Sequence, residues 1–281
     1  MKMLDEFRAY LLEQGKAENT VKSYCLAVDA YLKWYEESYG LKRAGRLYRA
    51  NVLDYISYLR TLKGLSNRSI NAKLAALQSL NEFLVHTGAQ TDIVLDKRDY
   101  LKVQLSFANP STVEKDDVEA FRQRVLVGNG VRDHAIVTIL AYAGLRISEA
   151  LDLYPADVDL VSREIAVRQG KGDKARVVYI GDKIVNAVRE YLKERPETDC
   201  PYLFISRKGG QLSRGQVNRI FNAYSDTITP HTLRHYFCSA AMEAEYSVHE
   251  VANQAGHSNI HTTLLYTNPT RKKMKDKANK L

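Results

Sequence analysis

The chain has 281 residues, 45% of them hydrophobic and 26% charged, with 15 Gly and 6 Pro. That is a globular composition sized for one or two domains of roughly 100–200 residues, and it excludes disordered, collagen-like and disulfide-scaffold classes. The formal net charge is +8 and the pI is near 9.2, which invites a polyanionic partner.

The most apolar stretch, Ala135 to Leu145, is interrupted by Thr138 and falls far short of the roughly 20 residues of a membrane span. The opening Met-Lys-Met-Leu-Asp-Glu-Phe-Arg carries charge throughout, unlike a signal peptide. Cys25, Cys200 and Cys238 are odd in number and widely spaced, which suits a reducing cytoplasm rather than a disulfide framework or a CxxC metal site.

In chain order, the first half is helical in pattern. Leu4 to Gln14 forms one segment. Asn19 and Thr20 are candidate caps for a second, with Val21, Tyr24, Cys25, Val28, Tyr31, Leu32 and Tyr35 at helical spacing. Val52, Tyr55, Ile56 and Leu59 mark a third. Ser66 opens a fourth, with Ile70, Leu74, Leu77, Leu80 and Asn81 on one stripe ending near Gly88. The uncharged run from Ser106 to Thr112, with Pro110 inside it, cannot continue a helix. It predicts a helical domain over 1–106, a linker over 107–111 and a second domain over 112–281.

The second half opens with Thr112-Val-Glu-Lys-Asp-Asp, a capped helix start with acids in its first turn. Helical spacing resumes over 132–143 and 148–153. The period then changes: Glu164 to Gln169 and Arg176 to Ile180 read as two strands around Gly170-Lys171-Gly172, a hairpin. Leu203 to Ser206 reads as a third strand. Helices are expected over 184–194, 213–224, 231–244, 247–254 and 261–266. The fold class expected is mainly α, a four-helix N-terminal domain and a mostly helical second domain with a small antiparallel sheet.

Charge is concentrated locally. Between Ser38 and Asn81 stand Lys42, Arg43, Arg46, Arg49, Arg60, Lys63, Arg68 and Lys73 against the single acid Asp54. From Arg271 onward, six basic residues face only Asp276. Such runs read either as solvated helix faces or as polyanion-binding surface.

Four clusters carry candidate chemistry. Arg146 follows Gly144 in an apolar stretch, with Glu149 one helical turn on to orient it. Alone, that pair reads as a structural ion pair or an anion site. Lys171 sits at the tip of the glycine turn, where exposed lysines are common. Thr229 and Pro230 cap and start a helix that places His231 and Arg234 at i and i+3, near free N–H groups that favour an anion. His231 and His235 are spaced as in HExxH, but Thr232 stands where the glutamate belongs and Arg234 adds positive charge, which argues against zinc. Finally, Ala255-Gly256-His257 is followed nine residues later by Tyr266. Single tyrosines are usually core, but this one accompanies two arginines, two histidines and a lysine.

The ordered set Arg146, Lys171, His231-x-x-Arg234, His257 and Tyr266 resembles the tyrosine recombinase (phage integrase) family across essentially the whole chain. Gly-Leu-Arg-Ile-Ser-Glu-Ala-Leu, His-Thr-Leu-Arg-His and Gly-His look like its signature boxes, with Ala255 departing from the common Leu. The segments around Thr20–Tyr24 and Ser69–Leu77 look like its DNA-binding helices.

The resemblance implies a site-specific recombinase that cuts and rejoins DNA through a 3′-phosphotyrosyl link and a Holliday junction, without metal, cofactor or ATP. Arg146, Lys171, His231, Arg234, His257 and Tyr266 would be catalytic and Glu149 supporting, with Lys42, Arg43, Arg46, Arg68 and Lys73 on DNA. The partners implied are a duplex recombination site, a homotetramer whose tail docks on a neighbouring protomer, and possible accessory proteins, in a bacterial cytoplasm with no membrane. Size and the basic tail favour a mobile-element role. The alternatives are chromosome-dimer resolution of the Xer type, type IB topoisomerase-like relaxation, a DNA-binding regulator with a decayed site, and a purely structural helical protein.

Overall fold

The computed structural model describes residues 2–40, 45–103, 113–168 and 175–257, with Thr263 and Asn279. The chain divides into two compact units, 1–105 and 106–281. The expected linker, the hairpin tip and the helix over 261–266, Thr263 excepted, lie outside the described residues, as does Thr112.

The first unit holds α1 (Lys2–Glu13), α2 (Glu18–Tyr39), α3 (Arg49–Thr61) and α4 (Asn67–His86). Leu74 and Leu77 of α4 and Val28, Tyr31 and Leu32 of α2 are wholly buried, each set at the three-to-four-residue spacing that makes one apolar face. Ser66 caps α4, accepting from Ser69 N–H at 3.2 Å. The second helix corrects the expected capping. It begins at Glu18 after Ala17, which makes no side-chain cap. An acid in the first turn suits the positive helix end, so Asn19 and Thr20 lie within that turn.

Beyond α4, buried Asn81 ties the return chain down. It accepts from Val94 N–H at 2.7 Å and donates to the Asp92 carbonyl at 3.1 Å. Tyr31, Trp34 and Tyr55 form an aromatic centre, with Tyr31 and Tyr55 edge-to-face at 5.1 Å and Trp34 and Tyr55 4.8 Å apart.

The second unit is built around α6 (Val131–Tyr142), whose Ile136, Val137, Ile139, Leu140 and Ala141 are at most 1% exposed. A helix apolar on every side must be covered on every side. Packed on it are α5 (Lys115–Asn129), α8 (Asp182–Glu194) and α10 (Pro230–Glu243). The remaining helices are α7 (Ile147–Leu151), α9 (Arg214–Tyr224) and α11 (Val248–Ala255). Acids Asp116 and Asp117 occupy the first turn of α5 as expected.

The sheet is antiparallel, in the order β1 (Val158–Asp159), β2 (Glu164–Val167), β3 (Arg176–Tyr179). Ile165 pairs with Val158 and Val178. Ile165, Val167 and Val178 face the core, whereas Ala166, Val177 and Tyr179 face out.

The third strand is not the one expected. Leu203, Phe204 and Ile205 are buried in succession, not alternately, and only Ile205 forms a bridge, to Gln211. Side chains take the carbonyls that a ladder would use: Tyr191 and Arg195 both donate to Leu203 O, and Arg195 also to Cys200 O and Tyr202 O. The sheet is completed instead by β1. Asp159 there accepts from the N–H groups of Val161 and Ser162 to close the turn. Among the described residues no helix is long and apolar enough to cross a membrane.

The buried Tyr31 hydroxyl has no hydrogen-bond partner among the described residues, and a desolvated polar group left unmade is costly. Tyr31→Phe is therefore expected to stabilise the protein by about 1–2 kcal/mol, measured by urea unfolding. A loss of stability would show that the hydroxyl is satisfied.

Candidate active site

Gly144 ends α6 and turns the chain into α7. Its φ of +63° is in the left-handed region, and an added Cβ would lie 2.2 Å from the Phe237 ring, so conformation and space both require glycine. The turn sets Arg146 at the N-cap of α7. Glu149 accepts from the Arg146 backbone N–H at 2.8 Å and from its guanidinium at 2.6 Å. The expected Arg146–Glu149 pairing is thus present, and Glu149 also holds a second arginine. Arg176, at the head of β3, donates to both carboxylate oxygens at 3.1 and 2.9 Å.

Burial alone would raise the Glu149 carboxyl, but hydrogen bonds from Arg176 and Arg146 outweigh it and hold the group below its ordinary range. Its side chain is only 3% exposed.

The end of α11 completes the cluster. Arg146 donates to Gly256 O at 2.5 Å, and Arg176 to Gln254 O at 3.2 Å and Ala255 O at 3.4 Å. These are carbonyls that a helix end leaves unpaired. Gly256 is left-handed at φ +66°, and a Cβ there would meet the Arg176 guanidinium at 2.6 Å.

Arg234, in the first turns of α10, is buried and donates to Gly144 O at 2.6 Å. Burial and then the neighbouring Arg146 charge bring its pKa down to about 10, so it stays protonated at neutral pH. Thr229 caps α10 and Pro230 starts it.

The three histidines of the site are shifted toward the neutral form. His257 is lowered to about 4 by burial and then by Arg234, Arg146, His235 and Arg176. Its Nδ1 lies 2.7 Å from the buried Thr263 hydroxyl. His231 and His235 hydrogen-bond to one another, Nε2 to Nε2, at 2.7 Å. Burial and then Arg234 lower His231. Burial, then His231 and Arg234, bring His235 to about 4.

The described part of the site is therefore three guanidiniums around one carboxylate, with neutral imidazoles at its rim. It presents excess positive charge and several N–H donors, an arrangement fit for an anion with multiple oxygens. Among the described residues no group of three or more His, Cys, Asp or Glu gathers as a metal site would need.

Arg146, Glu149, Arg234 and His257 are brought together, with His231 beside Arg234. Lys171 and Tyr266 lie outside the described residues. So do Lys42 and Arg43. Arg46 donates to Ala89 O at 2.9 Å, Arg68 is exposed on α4, and Lys73 is half-buried on the same helix. Arg176 was not among the expected site residues. Its signal was available: two residues before Val178 on a strand, it faces inward with the core, where an arginine needs a partner.

The Glu149 contacts predict a stability effect. Glu149→Gln removes the charge shared by two half-buried arginines and is expected to cost about 3 kcal/mol at pH 7, read by urea unfolding. An unfolded glutamate titrates near 4.3 and the folded one lower, so this contribution is complete above that pH. It fades as pH falls through the depressed value, and the difference between parent and variant is expected to narrow in acid.

Comparison with known proteins gives this arrangement its context. Residues 111–273 match the Phage integrase family and residues 4–88 the phage integrase N-terminal SAM-like domain. The chain is 48% identical over 281 residues to the TnP I resolvase of Bacillus thuringiensis, covering 99% of both chains. It is 32% identical over 276 residues to tyrosine recombinase XerA of Thermococcus kodakarensis, covering 95% of this chain and 91% of that one. Among solved structures, the Tn1549 transposon integrase in complex with a circular intermediate DNA has the same fold, with a TM-score of 0.73 at 19% identity over 99% of each chain. The chain belongs to the phage integrase family, the tyrosine recombinases.

Proposed function

We propose that the chain cuts and rejoins DNA at specific sites through a 3′-phosphotyrosyl intermediate, exchanging strands by way of a Holliday junction. The observation that carries this reading is the convergence of Arg146, Arg176 and Arg234 around Glu149 at the end of α11. In-line attack on a phosphodiester builds negative charge on the non-bridging oxygens. Arg146 and Arg234 would hold those oxygens, with His231 adding a donor, and each such preorganised donor is worth roughly 3 kcal/mol by analogy with oxyanion holes.

Tyr266 is the proposed nucleophile. Its oxygen bonds to phosphorus, the bond from phosphorus to the 5′-oxygen breaks, and the phenol proton passes to His257 or His231. Both imidazoles are lowered below their ordinary value by burial and by arginine charge, which leaves the rings unprotonated and able to accept, and makes them weaker bases than a free histidine. Lys171 would protonate the leaving 5′-oxygen. The phosphotyrosine conserves the bond, so a 5′-hydroxyl from a partner strand can reverse the step without ATP, and no metal is assigned.

The substrate is a duplex recombination site, with Lys42, Arg43, Arg46, Arg68 and Lys73 of the first unit on its backbone. Domains are assigned over 1–106 and 112–281, joined through 107–111, and each would contribute basic surface to the duplex. Assembly is proposed as a tetramer on paired sites, with accessory proteins as further partners and the bacterial cytoplasm as its location. The 48% identity to the TnP I resolvase supports a mobile-element role, cointegrate resolution or integration, over Xer-type chromosome-dimer resolution.

The covalent intermediate is the test. With a nicked suicide duplex selected for tight binding from a random library, the protein is expected to give a protein–DNA adduct on a denaturing gel. Tyr266→Phe is expected to abolish the adduct and leave DNA binding intact; cleavage by that variant would overturn the reading. Arg146→Ala and Arg234→Ala are each expected to slow cleavage about 100- to 1,000-fold. Relaxation of any plasmid without a site would favour a type IB topoisomerase-like activity. Deleting residues 272–281 is expected to weaken assembly on paired sites, measured by gel shift; unchanged pairing would reject a docking role for the tail.

A further inference from the structure

β3 is an edge strand of the sheet, and an edge leaves backbone N–H and C=O groups without a ladder partner. At Tyr179 a side chain supplies the missing strand. The Gln254 carboxamide accepts from Tyr179 N–H at 3.0 Å and donates to Tyr179 O at 3.1 Å. One acceptor and one donor on a planar amide reproduce what a neighbouring peptide would offer. Gln254 is buried, at 7% exposure, so both bonds are shielded from competing water.

Gln254 belongs to the last turn of α11, immediately before Gly256 and His257. At the other end of β3, Arg176 donates to the carbonyls of Gln254 and Ala255. The strand is therefore fastened to the helix end twice, once through a charged group and once through a neutral one. The two fastenings differ in kind. A guanidinium is drawn toward any anion that enters the site, while a carboxamide paired with a peptide is not. An anion that drew Arg176 away would leave the neutral fastening in place.

We propose that Gln254 is a positioning residue for strand cleavage. Its carboxamide locks β3 to the end of α11, and so fixes the strand that follows Lys171 in the sequence relative to His257. This rests on the reading of Lys171 as proton donor to the leaving oxygen. Gln254 touches neither DNA nor a reacting atom in this role; it acts by holding two elements in register, and misplacement of a reacting group by about 1 Å can cost about 100-fold in rate.

A change of leaving group separates positioning from general damage. The full-length protein is assayed on the selected suicide duplex with either the normal bridging 5′-oxygen or sulfur in its place, since a thiolate departs without a proton. Gln254→Leu is expected to cleave the oxygen substrate about 10- to 100-fold more slowly than the parent and the sulfur substrate at close to the parental rate. Gln254→Glu retains the acceptor for Tyr179 N–H and loses the donor to Tyr179 O. It is expected to show the same pattern, and it carries the comparison should Gln254→Leu fail to fold. Equal slowing on both substrates, or no slowing on either, overturns the proposal. Lys171→Ala is measured alongside. If sulfur rescues Lys171→Ala but not the Gln254 variants, the positioning role fails alone. If sulfur does not rescue Lys171→Ala, the proton-donor reading fails and the positioning role with it.

Discussion

The second unit depends on one buried carboxylate. Glu149 sits where the turn after α6, the head of β3 and the end of α11 meet, and without it Arg146 and Arg176 would face each other across a poorly hydrated gap. An isolated buried charge is costly; one engaged by two guanidiniums and a backbone N–H is satisfied on several sides. Because the arginines outnumber the carboxylate, the compensation is incomplete. Burial, and after it the neighbouring positive groups, depress His257 and His235; the uncompensated positive charge is the property that suits the pocket to a phosphodiester.

Much of the fold could be read from local pattern. Ser66 and the stripe from Ile70 to Leu80 specify α4 through a cap and a period, both encoded within one helix. Thr229 and Pro230 specify the start of α10 in the same way. The mistaken strand at Leu203 shows the limit. Three apolar residues in a row are compatible with a strand or with a plug of the core, and the decision was made by Tyr191 and Arg195, which reach the backbone of that segment from elsewhere in the chain.

The candidate site divides along the same line. The Arg146–Glu149 pair was legible because its members are one helical turn apart. Gly144 and Gly256 were visible as residues, but the reasons for them are tertiary: the Phe237 ring fills the space beside one and the Arg176 guanidinium covers the other. Arg176 and Gln254 were not singled out because their partners are remote in sequence. No spacing rule joins Arg176 to Glu149 or Gln254 to Tyr179; the sheet and α11 had to be placed first.

The carbonyl oxygens of Gly144, Gln254, Ala255 and Gly256 have a consequence for selectivity. They accept from the arginine donors, so a ligand that reaches those donors exchanges with a backbone oxygen rather than simply adding. A sugar hydroxyl or a water offers a guanidinium no more than a peptide oxygen already does. A phosphate oxygen carries full charge and offers more. The backbone thereby sets a threshold that a neutral oxygen does not cross and a charged one does.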